Sequence, residues 1–323
     1  MAIDIFNIEK NVISRDLKGR FLCIYGAEKV GKSTFGAHLP RALFCNFEIG
    51  TNYLPVKAQN ITKWSDFKTV LRQLEDPRAR DIYDTVVIDT VSEAYNSCEK
   101  FVCTQNGVQN IRDIAWGQGY VQTKNEFENA LRKITMLGFG LCCICHAEKK
   151  NVSGPGDTII ETYQPAMPAR AADVVNRMVD IIAYIDQRFD EDGNCVRNFI
   201  TRRTPTVLAG SRLPYLDPVI PFSYDDLIAA IGRAIDKQEK LDGAVVVDSV
   251  ERASVEEKLN FAEVRAEAQK LWTDLVTKDE ENATTILKKI EITMGHKMKL
   301  SEFTEDQVDL LAMIVEEMRT MNK

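Results

Sequence analysis

Gly26-Ala27-Glu28-Lys29-Val30-Gly31-Lys32-Ser33-Thr34 is the stretch on which the fold turns. It matches G-x-x-x-x-G-K-[ST]. The apolar run Arg20 to Gly26 (RFLCIYG) precedes it, and helix-compatible sequence follows through Leu39. Strand, glycine loop and helix in that order make a phosphate cradle. The glycines let the backbone curl so that its N–H groups and the helix N-terminus face phosphate oxygens. Lys32 neutralises the outer oxygens, and Ser33 offers a hydroxyl to Mg2+. All nine residues are expected nucleotide contacts, with ATP and Mg2+ as the implied ligands.

Working outward, Ala42 to Phe47, Thr85 to Asp89 and Gly140 to Cys145 are three more short apolar runs. Runs of this kind are buried on both faces, as in a parallel sheet covered by helices. Helical stretches are expected between them at Trp64 to Leu74, Thr90 to Cys103 and Val121 to Met136. Thr85-Val86-Val87-Ile88-Asp89 delivers a carboxylate to a strand's C-terminal edge, 57 residues after Lys32, and Asp89 is the expected second Mg2+ partner. Phe44-Cys45-Asn46-Phe47-Glu48 ends the strand that follows the loop's helix. A carboxylate there can orient or deprotonate the attacking water, so Glu48 is the catalytic candidate.

Asp180 to Asp186 and Cys195 to Arg202 form two further expected strands, joined by the turn-like Asp190 to Asn194. Gly154-Pro155-Gly156-Asp157, with more proline at 165 and 168, predicts a long mobile loop to about Arg170. Ser223-Tyr224-Asp225-Asp226 caps a helix expected to reach about Lys237 and to close a first domain over residues 1–235. Residues 236–254 are charged and irregular apart from Val245 to Val247, which predicts a linker. A helical module over 255–323 follows, with helices near 255–276, 280–294 and 305–321. Thr277 with Glu280 and Thr304 with Gln307 are expected capping boxes. Val308, Leu311, Val315 and Met318 form one apolar stripe for packing inside a small bundle.

The chain of 323 residues has 45% hydrophobic and 28% charged residues, the usual globular mix, and its length suggests about two folding units. No apolar run nears the roughly 20 residues of a membrane span, and Met1 to Lys10 lacks a signal-type pattern. The expected location is the cytoplasm. Of the eight cysteines, Cys23, Cys45, Cys142, Cys143 and Cys145 lie in apolar runs and read as reduced core residues. Cys98 and Cys103 have no second pair at ligand spacing, so no cysteine metal site is expected. The net charge of -7 is entirely C-terminal: residues 236–323 carry 13 Lys+Arg and 20 Asp+Glu. Nucleic-acid contact by the balanced front part would need a local basic strip.

The order of these parts, with a fourth strand ending in Cys145-His146, resembles the RecA-like ATPases, and in detail the phage-encoded ones of single-strand annealing and recombination. The resemblance covers about residues 15–235. It implies an α/β core with a mostly parallel sheet, plus the small C-terminal helical module. It also implies an ATP-hydrolysing enzyme acting on single-stranded DNA, in the host cytoplasm if phage-encoded. In such proteins the carboxylate after the second strand activates water, which maps onto Glu48. A polar residue ending the later strand senses the terminal phosphate, which maps onto His146, where bacterial relatives carry glutamine. A DNA-contacting loop follows, here about 149–170 with Lys149, Lys150, Tyr163 and Arg170 as contacts. Basic residues on a later strand reach a neighbour's ATP: Arg202 or Arg203, with Arg212 a weaker option. A homo-oligomer is therefore implied, with single-strand-binding or replication proteins as candidate partners. A hexameric helicase on the same core, a metabolite kinase, and a nucleotide-gated binding protein with little turnover are the competing expectations.

Overall fold

The computed structural model describes residues 12–153, 156, 158–250 and 259–322. The chain divides into two compact units, residues 10–255 and a unit containing 256–323. In the first, β1 (Val12–Ser14) and β2 (Phe21–Gly26) lead through the glycine loop into α1 (Lys32–Ala37). Next come β3 (Ala42–Asn46), β4 (Lys57–Asn60), α2 (Trp64–Gln73), α3 (Arg78–Ile82) and β5 (Thr85–Asp89). α4 (Val91–Gln105) and α5 (Gln118–Met136) precede β6 (Gly140–Ser153), β7 (Ile159–Pro165) and α6 (Ala169–Met178). The unit ends with β8 (Ile181–Phe189), β9 (Cys195–Ile200), β10 (Gly210–Ser211), β11 (Val219–Pro221), α7 (Tyr224–Asp242) and β12 (Val245–Val247).

The main sheet runs β11-β9-β8-β2-β6-β5-β3-β4. The six strands from β8 to β4 are parallel, whereas β9 and β11 add antiparallel pairings at one side. This is the mostly parallel α/β core that the sequence predicts. Alternation along β2 explains its unbroken apolar run: Cys23 and Tyr25 join one core with α2, α4, α5 and α6, while Leu22 and Ile24 join another with α1 and α7. Each large apolar side chain fully buried here contributes roughly 1.5–3 kcal/mol. From β2 the chain skips over β6 and β5 to reach β3, so the carboxyl ends of these strands frame a crevice.

Two expectations about organisation need correction. The mobile loop of 154–170 is instead the second half of a hairpin: β6 continues eight residues past Cys145 to Ser153 and pairs antiparallel with β7, from Ala147–Pro165 to Ser153–Ile159. β-Branched and aromatic residues at 158–163 outweigh the Gly-Pro signal; Gly154, Pro155 and Asp157 lie outside the described residues. The expected linker of 236–254 begins inside α7. Ser223 accepts from the Asp226 amide at the start of that helix, and Gly243, at φ 67, ends it past Lys237. Val245–Val247 then pairs with β1. Residues 251–258, which hold the linker's end, lie outside the described residues.

In the second unit, α8 (Phe261–Lys278), α9 (Glu281–Met294) and α10 (Val308–Met321) pack around Leu275, Ile286, Ile290, Leu311, Val315 and Met318. The Thr304–Gln307 capping box is present. Thr277 is not a cap: it lies inside α8 and its hydroxyl donates to Thr273 O, while the Glu281 amide is met by Asp279. Among the described residues no helix is long and apolar enough to cross a membrane.

Candidate functional site

The parallel register brings the chemistry together. Gly26 pairs with His146, and Asn46 pairs with Asp89, so the ends of β2, β3, β5 and β6 lie along one edge. The amides of Phe47 and Glu48 both donate to Asp89 O, at 2.7 and 3.1 Å, which fixes the chain after β3 against the end of β5. Glu48 is then held from two sides. Thr90 Oγ1 donates to its Oε1 at 2.6 Å, and His146 Nε2 faces its Oε2 at 3.4 Å. The Asp89–Thr90 peptide is cis.

In the phosphate loop, Lys29 (φ 58) and Gly31 (φ 109) take left-handed conformations that turn the backbone around a central space. Lys32, only 6% exposed, donates to Gly26 O and Ala27 O at 3.1 and 2.7 Å. Burial pulls its ammonium below the usual 10.5, with Asp89 opposing. Ser33 Oγ donates to Asp89 Oδ2 at 2.6 Å. Asp89 is 5% exposed, and burial pushes its carboxyl above the usual 3.8 against that hydrogen bond, with Glu48 adding repulsion.

This donor set fits a nucleotide-borne Mg2+. The Ser33 proton bridges two oxygens where a cation can take its place. Among the described residues there is no group of three or more His, Cys, Asp or Glu side chains that could hold a metal unaided. Mg2+ characteristically takes one or two protein oxygens and completes its shell with phosphate and water.

The other candidates are distributed differently. Lys149 pairs with Glu161 at 3.0 Å and lies over Tyr163, Lys150 pairs with Glu148, and Tyr163 stacks on Tyr184. Arg170 stands at the start of α6 over the Tyr120 ring, at 4.2 Å, and not on the hairpin. β9 ends at Ile200, so strand alternation does not apply to Arg202 and Arg203. Arg202 reaches Leu216 O at 3.4 Å, and Arg203 is exposed. Arg212 pairs with Asp180.

Two residues that sequence reasoning missed complete the site. Thr90 is one. Arg197 is the other: its Nη1 donates to Val30 O in the loop at 2.9 Å while its guanidinium lies over Phe222. A Cβ at Gly31 would stand 2.9 Å from that nitrogen, so a side chain there would push Arg197 away from the Val30 carbonyl. Arg197 sits two residues before the buried Phe199 on an otherwise exposed strand; only its alternation partners gave a signal. Gly31, Thr34, His38, Arg197, Phe222 and Tyr224 border a recess of about 260 Å3 beside the loop.

Over 334 residues and 99% of both chains, the protein is 28% identical to the SPbeta prophage-derived uncharacterized protein YorG of Bacillus subtilis (strain 168). The flagellar accessory protein FlaH of Methanocaldococcus jannaschii is similar at 13% identity and a TM-score of 0.34, over 64% of this chain and 85% of that one. Residues 18–213, which include the phosphate loop, Glu48, Asp89, His146 and Arg197, match the AAA domain model, and the chain belongs to that family.

Proposed function

We propose that the chain is a Mg2+-dependent ATPase that acts on single-stranded DNA in phage-type recombination or strand annealing. The observation that carries the hydrolytic part is the placement of Glu48. Its carboxylate is gripped by Thr90 and faced by His146, one strand from the Ser33–Asp89 pair. Hydrolysis asks a protein mainly to position water and stabilise charge. Lys32 would exchange its two loop carbonyls for phosphate oxygens, and Ser33 and Asp89 would hold the metal. Bound Mg2+ supplies charge neutralisation at the phosphates. Glu48 orients the attacking water, with Thr90 fixing one carboxylate oxygen and His146 facing the other. The aromatic-walled recess beside Gly31 and Thr34 supports seating of the nucleoside.

The DNA part is supported by the prophage origin of the relative and by the hairpin that grows directly from His146. Lys149 is held by Glu161 in an exposed ion pair, which exchanges readily for a phosphate, and Lys150 by the half-buried Glu148. Arg203 is free of ion pairs among the described residues and supports contact with a neighbour in a homo-oligomer. The experiment is phosphate release with and without single-stranded DNA across a Mg2+ titration. DNA stimulation supports the whole reading; turnover unaffected by DNA leaves an ATPase of another process. Turnover absent at every Mg2+ concentration, with ATP bound, makes the chain a nucleotide-gated binder.

A further inference from the structure

The helical unit carries a groove that takes no part in the ATPase site. It is lined by Arg265, Gln269 and Trp272 of α8, Leu287 of α9, and Lys299 and Leu300 of the segment before α10, and encloses about 360 Å3. That is the small end of ligand-pocket size, roughly 300–1,000 Å3. Its floor is apolar, from Trp272, Leu300 and the 40% exposed Leu287.

Its rim has an unusual sign. Residues 259–322 carry 8 Lys+Arg against 13 Asp+Glu, yet no residue lining the groove is acidic. Elsewhere on the unit Lys289 is paired with Glu317, and Arg319 with Glu267 and Glu316. Arg265 only touches Ser301 O at 3.4 Å and the Phe261 ring, and Lys299 has no ion-pair partner among the described residues. The carboxylate next in sequence, Glu302, is used by the Lys299 backbone amide at 2.8 Å. Trp272 Nε1–H and the Gln269 side chain also lack partners there. The charged groups at the groove are thus both cations, with the Trp272 N–H and the Gln269 amide beside them around an aromatic floor.

We propose that this groove docks an acidic peptide segment of a partner protein, with one bulky apolar side chain seated on Trp272 and Leu300 and neighbouring carboxylates on Arg265 and Lys299. Two unpaired cations beside an apolar floor, with no carboxylate in the lining, let charge set the register of such a peptide while the apolar anchor supplies the holding contact.

The test is fluorescence anisotropy of the full chain with three labelled peptides: three acidic residues followed by Leu-Phe, the same with basic residues, and the acidic peptide ending in Gly-Ser. The acidic Leu-Phe peptide should bind best, and more weakly as salt rises. Arg265→Ala with Lys299→Ala should cost about tenfold or more in its affinity. Arg265→Glu with Lys299→Glu should transfer preference to the basic peptide, which damage to the fold alone does not do. Equal binding of all three peptides, or unchanged affinity in the double alanine variant, overturns the proposal. So does binding that emerges only after removal of residues 1–11, or self-association abolished by the glutamate variants: either outcome makes the occupant part of this same chain.

Discussion

The two edges of the parallel sheet offer a comparison between space and chemistry. The larger cavity, about 740 Å3, lies at the N-terminal edge, where Gly19, Arg41, Asp84 and Phe139 stand near the starts of β2, β3, β5 and β6. Its arginine is already satisfied within the protein: Arg41 donates to both oxygens of Asp84, at 2.7 and 2.6 Å, and to Asp81 O and Arg80 O. The C-terminal edge has far less open volume, yet it holds a lysine and an aspartate both displaced toward their neutral forms by burial. Volume therefore does not locate this site. Buried charge held against its own preference does, because only a bound partner relieves it.

The sharpest way to break this contrast is Glu48→Gln. It should lower turnover about 100-fold or more while ATP still binds, as read by phosphate release and nucleotide titration. Normal turnover in that variant removes Glu48 from the mechanism. Lys32→Ala should come next, weakening triphosphate affinity about tenfold or more through loss of charge-assisted hydrogen bonds, with the fold intact by circular dichroism. Arg197→Ala should weaken affinity by a smaller step, about three- to tenfold, because it supports the loop through Val30 O from the opposite side. An effect as large as that of Lys32 would mean that Arg197 contacts phosphate directly. At the other edge, Arg41→Ala should leave turnover unchanged and lower stability by about 1 kcal/mol, since the pair with Asp84 is half exposed.

The smallest effect has the most informative sign. Burial raises the folded-state carboxyl of Asp89 above 3.8, so the ionised form costs stability. That cost is absent below 3.8 and grows as pH rises through the folded value. Asp89→Asn should therefore raise the melting temperature of nucleotide-free protein at pH 7, and the gain should vanish as pH falls toward 3.8, even though the variant loses Mg2+-dependent turnover. A drop in melting temperature at pH 7 would show that the Ser33 bond outweighs the burial cost.

Much of this was legible because fully buried parallel strands advertise themselves. Val86 to Ile88 and Leu141 to Cys145 have no polar side chain to obscure the pattern, and a polar residue at the end of such a run marks the edge where ligands bind. The hairpin was not legible, since Glu148 to Asn151 reads as solvated loop and its pairing with Glu161 to Gln164 is a tertiary fact. The same holds for Arg197. Nothing local distinguishes it from Arg202 or Arg203; what selects it is that β9 runs beside β8, itself next to β2. The helix past Lys237 was hidden by its charge, which is ordinary for an exposed helical turn and made 236–242 look like linker.

Tyr25, the residue just before Gly26, gives its hydroxyl to Tyr163 O at 3.0 Å and Leu208 O at 2.7 Å, and its ring meets Tyr184, on which Tyr163 stacks. The Tyr163 amide and carbonyl are also tied to Thr206 and Leu208. The hairpin is thereby clamped at its root. A flap hinges and dissipates whatever pulls on it, whereas a clamped arm transmits torque, and the far side of this clamp is the first residue of the phosphate loop. Force applied where β6 and β7 project from the sheet reaches Gly26 by two routes, the pairing of Gly26 with His146 along β6 and the hydroxyl of Tyr25.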